Sequence, residues 1–545
     1  MRDKMIVSFF VVTGTIALLF WLGAVYMVST REVPKAGGEY TEGVAAQPRY
    51  VNPILSQTSG ADADLVELIY SGLFSYDAAG NLVKRLAAGY TVSSDGKLYT
   101  ITLRPGTKWH DGEELTADDV VYTVQAIQNP AYKSPLRSSW MAVDVAAADR
   151  YTVTFSLQKS YFGFLENLTV GILPKHIWEN IAPENFFLAD YNLAPVGSGP
   201  YSFFGSEKDS SGNILSYELR AWNNYFEGAP YISKVTFHFY PDETALINAY
   251  NRKEILGINS VTPDSLAKLE KRQSTRIYDI NIPRVFAVFF NMTKSVALAS
   301  DEVRAALSYA TDRDAIIAEV LSGKGQPALS AFLPFMAGYD SSLARPSFDQ
   351  EKANALLDNS GWTRGADGVR TKGNAALEIT LTVPDWPELS RTAHLLQEQW
   401  ERIGARVTVN VIGAADLQQN VIRPREYQAL LFGEAAMLSS DPYSFWHSSQ
   451  KRDPGLNLAL FDNKDADDIL VSLREEPDFE KQLEKYRAFQ IILSKENPAV
   501  FLYTPTYLYV VSDVVKGVDV QNIDAAHFRL SNIRDWYMNT QRIKK

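Results

Sequence analysis

"LYTITLRPGTKWHDGEELTADDVVYTV" runs from Leu98 to Val124. Tyr99, Ile101 and Leu103 alternate with Thr100, Thr102 and Arg104, the period of a half-buried strand. Just upstream, Asp95-Gly96 separates two alternating runs and predicts a hairpin. Pro105-Gly106 ends the strand. Thr116, with Asp119 three residues on, has the spacing of a capping box, and Val120, Val121, Val124 and Ile127 form the apolar stripe of the helix that follows. Between strand and helix, His110, Asp111, Glu113 and Glu114 crowd beside Trp109. If that crowd were a metal or acid–base centre the chain would be an enzyme. The spacing argues otherwise. Histidine-type zinc sites need two or three His at helix or hairpin spacing, whereas the six His (110, 176, 238, 394, 447 and 527) are scattered. No Asp-x-Asp-x-Asp-Gly calcium loop is present. Asp111-Gly112 therefore reads as a turn leading into the Thr116 cap.

The same alternation of strands and helices continues along the chain. "KVTFHFYPDETALINAY" reads as strand, Pro-Asp turn and helix. "RVFAVFFNMT" is a strongly apolar strand, and "DEVRAALSYATDRDAIIAEVLSGKG" is two helices ending at Gly323. "EKANALLDNSGW" is a helix stopped by Asn359-Ser360-Gly361. "LEITLTV" and "RVTVNVI" flank the helix "RTAHLLQEQWERIG", a strand–helix–strand order that marks an α/β lobe. No internal repeat or low-complexity tract is evident.

Composition bounds the function. At 545 residues the chain exceeds one compact core. A net charge of -11, with no basic run beyond Arg542-Ile543-Lys544-Lys545, argues against nucleic-acid binding and leaves that tail a solvated end. The absence of cysteine removes disulfides, thiol catalysis and thiolate metal sites. Met5 to Val28 is a 24-residue stretch without charge. At about 1.5 Å per residue it spans a hydrocarbon core of roughly 30 Å. Val25-Tyr26-Met27 is bulky where a cleavage site wants small residues, which favours a retained anchor over a cleaved signal and places the rest of the chain outside the cytoplasm. Arg31 to Gly38 reads as a linker.

No motif supports an enzyme. Ser265-x-x-Lys268 lacks a Lys-Thr-Gly partner and reads as a helical surface segment; Gly-x-Ser-x-Gly, phosphate loops and His-Glu-x-x-His are missing. The 28 Tyr and 10 Trp suit a large amphipathic cavity, although most must be core.

Several stretches, in order, carry a resemblance. They are "GVAAQPRYVNPIL", "LIYSGLFSYDAAGNLVKRLAAGYTVSSDGKLYTITLRPGTKWHDGEELTADDVVYTV", "ILPKHIW", "PVGSGPY", "AWNNYFEGAPYISKVTFHFYPDET", "DEVRAALSYATDRDAII", "EKANALLDNSGW" and "SSDPYSFW". From about Gly38 to the C-terminus the chain resembles the family 5 extracellular solute-binding proteins, the peptide receptors of ABC importers. In that family the Trp109-His110-Asp111-Gly112 block is scaffold. The resemblance implies an α/β, two-lobed periplasmic-binding-protein-like fold (type II, cluster C) with three domains; before it, 1–37 would hold the N-terminal transmembrane helix, as anchor or signal segment, and its linker. Domain I would comprise 38–60, 196–280 and 503–545, domain II 61–195 and domain III 281–502, with crossings near Ile280 and Leu502. It also implies a monomeric, non-enzymatic receptor that takes a peptide between its lobes, delivers it to permease subunits and needs no cofactor or metal. Asp441 matches the position expected to anchor a ligand α-ammonium; a turn Asp before Pro442 is the alternative. Trp446, Tyr503, Phe286 and Phe289 are further pocket candidates. Three departures from the family pattern are Ser198 in "GSGPY", "RKEILGIN" in place of a Gly-Glu-Ile-Asp element, and "LFGEAAMLSSDP" without the usual Trp. The alternatives are a non-peptide solute such as a sugar or nickel chelate, or an enzyme or structural surface protein on the same scaffold.

Overall fold

The computed structural model describes residues 2–269, 274–343, 348–435 and 441–545. Its first element is the apolar helix Arg2–Ser29. The window Val12–Ser29 is long and apolar enough to cross a membrane, and none of it is buried against the rest of the chain. The stretch expected to be a linker is instead a strand. Thr30–Lys35 pairs antiparallel with Asn539–Lys544, so the basic C-terminal tail is structured too. Arg542 fixes the ribbon to the helix end: its Nε donates to Thr30 Oγ1 (2.9 Å) and its Nη2 to the Met27 carbonyl (3.1 Å). The two strands lie at opposite ends of the chain, beyond the reach of local pattern reading.

Two large sheets organise the remainder. One has seven strands, in the spatial order Thr275–Ile280, Tyr507–Ser512, Gly257–Val261, Glu39–Val44, Lys234–Phe239, Ile214–Ala221 and Tyr201–Lys208. The other has six, in the order Gly325–Pro327, Ala499–Pro505, Arg284–Phe290, Ala429–Ala435, Glu378–Pro384 and Arg406–Ile412. The chain passes between them at Asn281-Ile282-Pro283 and at Thr506. The division expected between Leu502 and Tyr503 falls inside one strand, because the buried, hydrogen-bonded run Ala499–Pro505 continues to Pro505. In the six-stranded sheet, Glu378–Pro384 and Arg406–Ile412 pair in parallel around the helix Pro387–Arg402, the strand–helix–strand unit read from sequence.

A four-stranded antiparallel sheet, Ala87–Val92, Leu98–Leu103, Thr152–Leu157 and Val143–Asp149, contains the opening stretch. Gly96, at φ +67°, makes the hairpin turn that only glycine adopts without strain. Tyr99, Ile101 and Leu103 are buried, and the helix Ala117–Gln128 buries Val120, Val124 and Ile127. The core of this layer is continuous with that on one face of the seven-stranded sheet, and both large sheets have separate cores on their two faces. A fully buried ion triad ties the C-terminal segment into the first body. Arg529 holds Asp64 at 2.6 Å through both terminal nitrogens and also bonds Glu42, joining the strand Glu39–Val44 to the helix Gly60–Ile69.

Candidate functional site

The crowded polar stretch at Trp109 forms the tight turn that its spacing predicts. Trp109 is wholly buried, and its backbone N–H donates to the Glu113 carbonyl (2.9 Å). Gly112, at φ +95°, closes the turn. The Gly197 N–H donates to His110 Nδ1 (3.2 Å), and His110 Nε2 lies 3.0 Å from the Gly199 carbonyl. Burial pushes the His110 imidazole down to about 4, so it is neutral at ordinary pH. Asp111 faces His176 (2.8 Å), and Asp119 accepts from the backbone N–H groups of Thr116 and Lys175 (2.8 Å each). His110, Asp111 and Asp119 thus each have a local partner, and Glu113 is exposed. Among the described residues no group of three or more His, Asp or Glu could hold a metal ion. The Ser265 hydroxyl is equally occupied, donating to Glu243 at 2.6 Å within the short helical turn Pro263–Lys268.

The five pocket candidates all sit in the body built on the six-stranded sheet. Alternation along Arg284–Phe290 sends them to opposite faces. Phe286 packs with Tyr503 on one face (centroids 5.4 Å apart), where Tyr503 is 1% exposed and its hydroxyl meets Thr392 Oγ1 at 3.1 Å. Phe289 lies on the other face, fully buried against Trp446 (6.4 Å). Trp446, on the short helix Tyr443–Trp446, also packs on Phe461 and Phe501. Phe289 and Tyr503 are thus core side chains. Asp441 and Trp446 share the wall of one small hollow, together with Val285, Phe332, Met336 and Glu434. Part of the "SSDPYSFW" and "LFGEAAMLSSDP" readings, residues 436–440, lies outside the described residues.

Asp441 is not free. Arg474 grips it in a fork: Nε lies 3.1 and 3.0 Å from its two oxygens and Nη2 2.5 Å from Oδ2. The Tyr443 N–H adds a turn bond to Oδ1 (3.2 Å). Burial would lower the Arg474 pKa, but the bonds and charge of Asp441 outweigh it and the net shift is upward. The guanidinium lies over the Tyr443 ring (3.9 Å) and, from the opposite body, 5.2 Å from the Tyr161 ring centre. The Phe162 N–H donates to the Arg474 carbonyl (3.2 Å). Burial, and then the Asp441 and Glu166 charges, push the Tyr161 phenol well above its ordinary value. The bodies therefore meet at Asp441–Arg474–Tyr161.

A second, larger hollow lies in the first body beside that meeting point. Its wall carries the buried Glu67–Arg85 pair (2.9 Å), Trp140, Glu166 and His527, and the Tyr70 hydroxyl, which has no hydrogen-bond partner among the described residues. At the other edge of the junction the contacts are Lys324–Asp279 (2.9 Å) and Arg391–Asp264 (3.1 Å), all four side chains partly exposed. Such pairs contribute only about 0–1 kcal/mol each, which suits a junction that opens. Glu434, Arg474 and Tyr161 were not singled out from sequence. Glu434 had one visible signal, a lone acid near the end of an apolar strand; Arg474 had none, because its partner lies 33 residues away.

The sequence profile described as "Bacterial extracellular solute-binding proteins, family 5 Middle" matches residues 81–455. The chain is 28% identical over 515 residues to the oligopeptide-binding protein AppA of Bacillus subtilis (strain 168), covering 93% of this chain and 92% of that protein. The structure of the oligopeptide-binding protein AppA from Bacillus subtilis in complex with a nonapeptide superposes with a TM-score of 0.73 at 26% identity, covering 93% of this chain and all of that one. The dipeptide-binding protein of Escherichia coli (strain K12) is 26% identical over 511 residues, covering 88% of this chain and 92% of its own. With two α/β bodies joined by two short crossings and hollows at their junction, this chain belongs to the family 5 bacterial extracellular solute-binding proteins.

Proposed function

We propose that this protein captures peptides outside the cytoplasm, between its two bodies, and delivers them to the permease of an ABC importer. The observation that carries the reading is the junction itself. Two sheets joined only at Asn281-Ile282-Pro283 and Thr506 meet across Asp441–Arg474–Tyr161, with a hollow on each side. A ligand that touches both bodies only when they close shifts the open–closed balance towards closure. The names of the AppA and dipeptide-binding relatives support a peptide as that ligand.

In this reading the first body combines domain I (38–60, 196–280 and the C-terminal segment, moved to begin at 506) with domain II (61–195). Domain III is 281–505. Asp441 and Trp446 line the ligand side, with Phe286 at the edge of the strand entering domain III. Phe289 and Tyr503 support them from the cores. Asp441 acts through its fork with Arg474, a half-buried cation able to take peptide carbonyl or carboxylate oxygens. The protein is a monomer without enzymatic activity, held at the outer face of the membrane by the helix Arg2–Ser29.

Mass spectrometry of solutes that co-purify with the detergent-extracted protein tests the reading. Peptides released on denaturation, and calorimetric binding of the same synthetic peptides without turnover, are expected. A co-purified non-peptide solute that binds while peptides do not would overturn it. N-terminal sequencing of the membrane-extracted protein tests the anchor: a mature start between Tyr26 and Gly38 would mean a cleaved signal.

A further inference from the structure

The chain carries a net charge of -11, yet the ribbon built from its two ends is basic. Thr30–Lys35 and Asn539–Lys544, with Lys545 after them, hold the cations Arg31, Lys35, Arg542, Lys544 and Lys545 against one acid, Glu32. Glu32 accepts from the Thr540 hydroxyl, and Arg31, Lys35, Lys544 and Lys545 have no ion-pair partner among the described residues. The ribbon starts where the apolar helix stops. The Lys545 N–H donates to the Ser29 carbonyl (2.9 Å), and Thr30 Oγ1 donates to the Tyr26 carbonyl (2.6 Å). Arg542 Nη2 reaches the Met27 and Thr30 carbonyls (3.1 and 3.2 Å). Tyr26 is half-exposed, its ring centre 5.8 Å from the Arg542 guanidinium. At its far end the ribbon runs into the first body. There the Gly37 N–H donates to the Tyr231 carbonyl (2.8 Å), and Lys516 and Tyr537 exchange backbone bonds (2.8 and 2.9 Å).

Resting on the reading that the helix Arg2–Ser29 stays attached and crosses the membrane, we propose that this ribbon is a docking surface for the anionic phospholipid headgroups around the helix exit. The register sets Thr30 against Lys544, Arg31 against Ile543 and Glu32 against Arg542, so Arg31, Arg542, Lys544 and Lys545 all lie next to the helix end. At about 3.4 Å per rung they reach about 7 Å from it, close to the depth of one headgroup layer, roughly 5–7 Å. Tyr26 lies one turn below, at the level where amphipathic rings gather in a bilayer. Each Lys or Arg at an anionic surface strengthens the contact by roughly fivefold. Helix capping accounts for Arg542, whose donors meet orphan carbonyls of the last turn, but not for the side chains of Arg31, Lys544 and Lys545. These charges do not reverse the helix. Arg542, Lys544 and Lys545 arrive long after it has inserted, and orientation is set by charges within about 15–20 residues of the span. Because the ribbon continues into the first body, that body is the one the bilayer holds, and closure moves the second.

The test uses the full chain in lipid nanodiscs. The sequence has no cysteine, so Ile543→Cys gives a single attachment point for a nitroxide on the ribbon. Access of a neutral, water-soluble gadolinium chelate to that label should fall at least about threefold when phosphatidylcholine discs are replaced by discs containing phosphatidylglycerol. Salt at about 1 M, where the screening length is about 3 Å, should erase most of the difference. In the labelled background, Arg31→Gln, Lys544→Gln and Lys545→Gln together should abolish it, whereas Lys544→Arg with Lys545→Arg should keep it. Arg542 is left in place because it also holds the ribbon to the helix. Equal access in the two kinds of disc overturns the docking surface while the anchor stands. A difference that survives the triple glutamine variant overturns the role of these cations. Protection that appears in native membranes but not in phosphatidylglycerol discs assigns the cations to a protein partner and overturns the lipid proposal. Protein recovered without residues 2–29 means a cleaved signal, and the anchor and the docking surface fall together.

Discussion

The turn at Trp109–Glu114 and the wall at Glu434–Trp446 are both places where acids sit beside tryptophan, and they have opposite chemistry. At the turn the imidazole and two of the three acids have partners, His110 between Gly197 and Gly199, Asp111 on His176 and Glu114 on Arg150 and Tyr151, while Glu113 is exposed to solvent. At the wall one acid is locked in a fork, and one oxygen of the other, Glu434, is buried with no hydrogen-bond partner among the described residues. Crowding of polar residues in sequence marks neither scaffold nor site. What separates the two is whether the fold satisfies those residues, since an unsatisfied buried group costs about 1–3 kcal/mol that packing does not return.

The comparison breaks most readily at Trp109. Trp109→Ala removes a wholly buried indole and should lower stability by about 3–5 kcal/mol in denaturant unfolding. Peptide affinity of the folded fraction should be unchanged; a large affinity loss would move the turn into the site.

Next in size are two pH effects of opposite sign. His110 is held neutral with its pKa pushed down to about 4, while the unfolded chain protonates near 6.5. Its contribution is therefore present above pH 6.5 and is lost as pH falls towards 4. The ring is partly exposed, so the loss should be roughly 1–2 kcal/mol. A pH series of thermal midpoints should be shallower over that window in His110→Ala. Glu434 has a raised pKa, so its neutral form costs least below the ordinary carboxyl range and its effect grows as pH rises. At neutral pH Glu434→Gln should stabilise the protein, by roughly 1–3 kcal/mol. A destabilised Glu434→Gln would reveal a partner for the acid and sink the contrast.

The smallest effect tests the exposed end of the turn. Asp111 and His176 are about one-third exposed each. Asp111→Asn should cost less than about 1 kcal/mol and leave peptide binding as it was.

How much of this was legible follows from how local each feature is. The hairpin at Gly96, the Thr116 helix start, the paired helices Asp301–Tyr309 and Arg313–Val320, and the strand–helix–strand unit at 378–412 depend on periodicity and turn residues within about a dozen positions. The site does not. Asp441 was legible as a residue, but its fork with Arg474 is a tertiary contact, as is the approach of Tyr161 from the other body. Phe286 and Phe289 are read together because both lie on the strand entering the second body, yet the pleat assigns them to different cores. Tyr503 was placed just past a boundary that strand pairing carries on to Pro505. Glu434 stands out only through its tertiary surroundings, where its buried Oε1 has no partner among the described residues.

The ribbon that joins Thr30–Lys35 to Asn539–Lys544 sets the length of the leash. With no slack between the apolar helix and a strand paired to the end of the first body, a receptor retained by that helix is confined to a thin layer above the bilayer. Its search for a permease then runs in two dimensions, at an effective concentration set by the layer's thickness and not by the volume of the compartment. Inserting a flexible glycine–serine segment between Ser29 and Thr30 would thicken that layer and dilute the encounter, while every contact to ligand stayed the same.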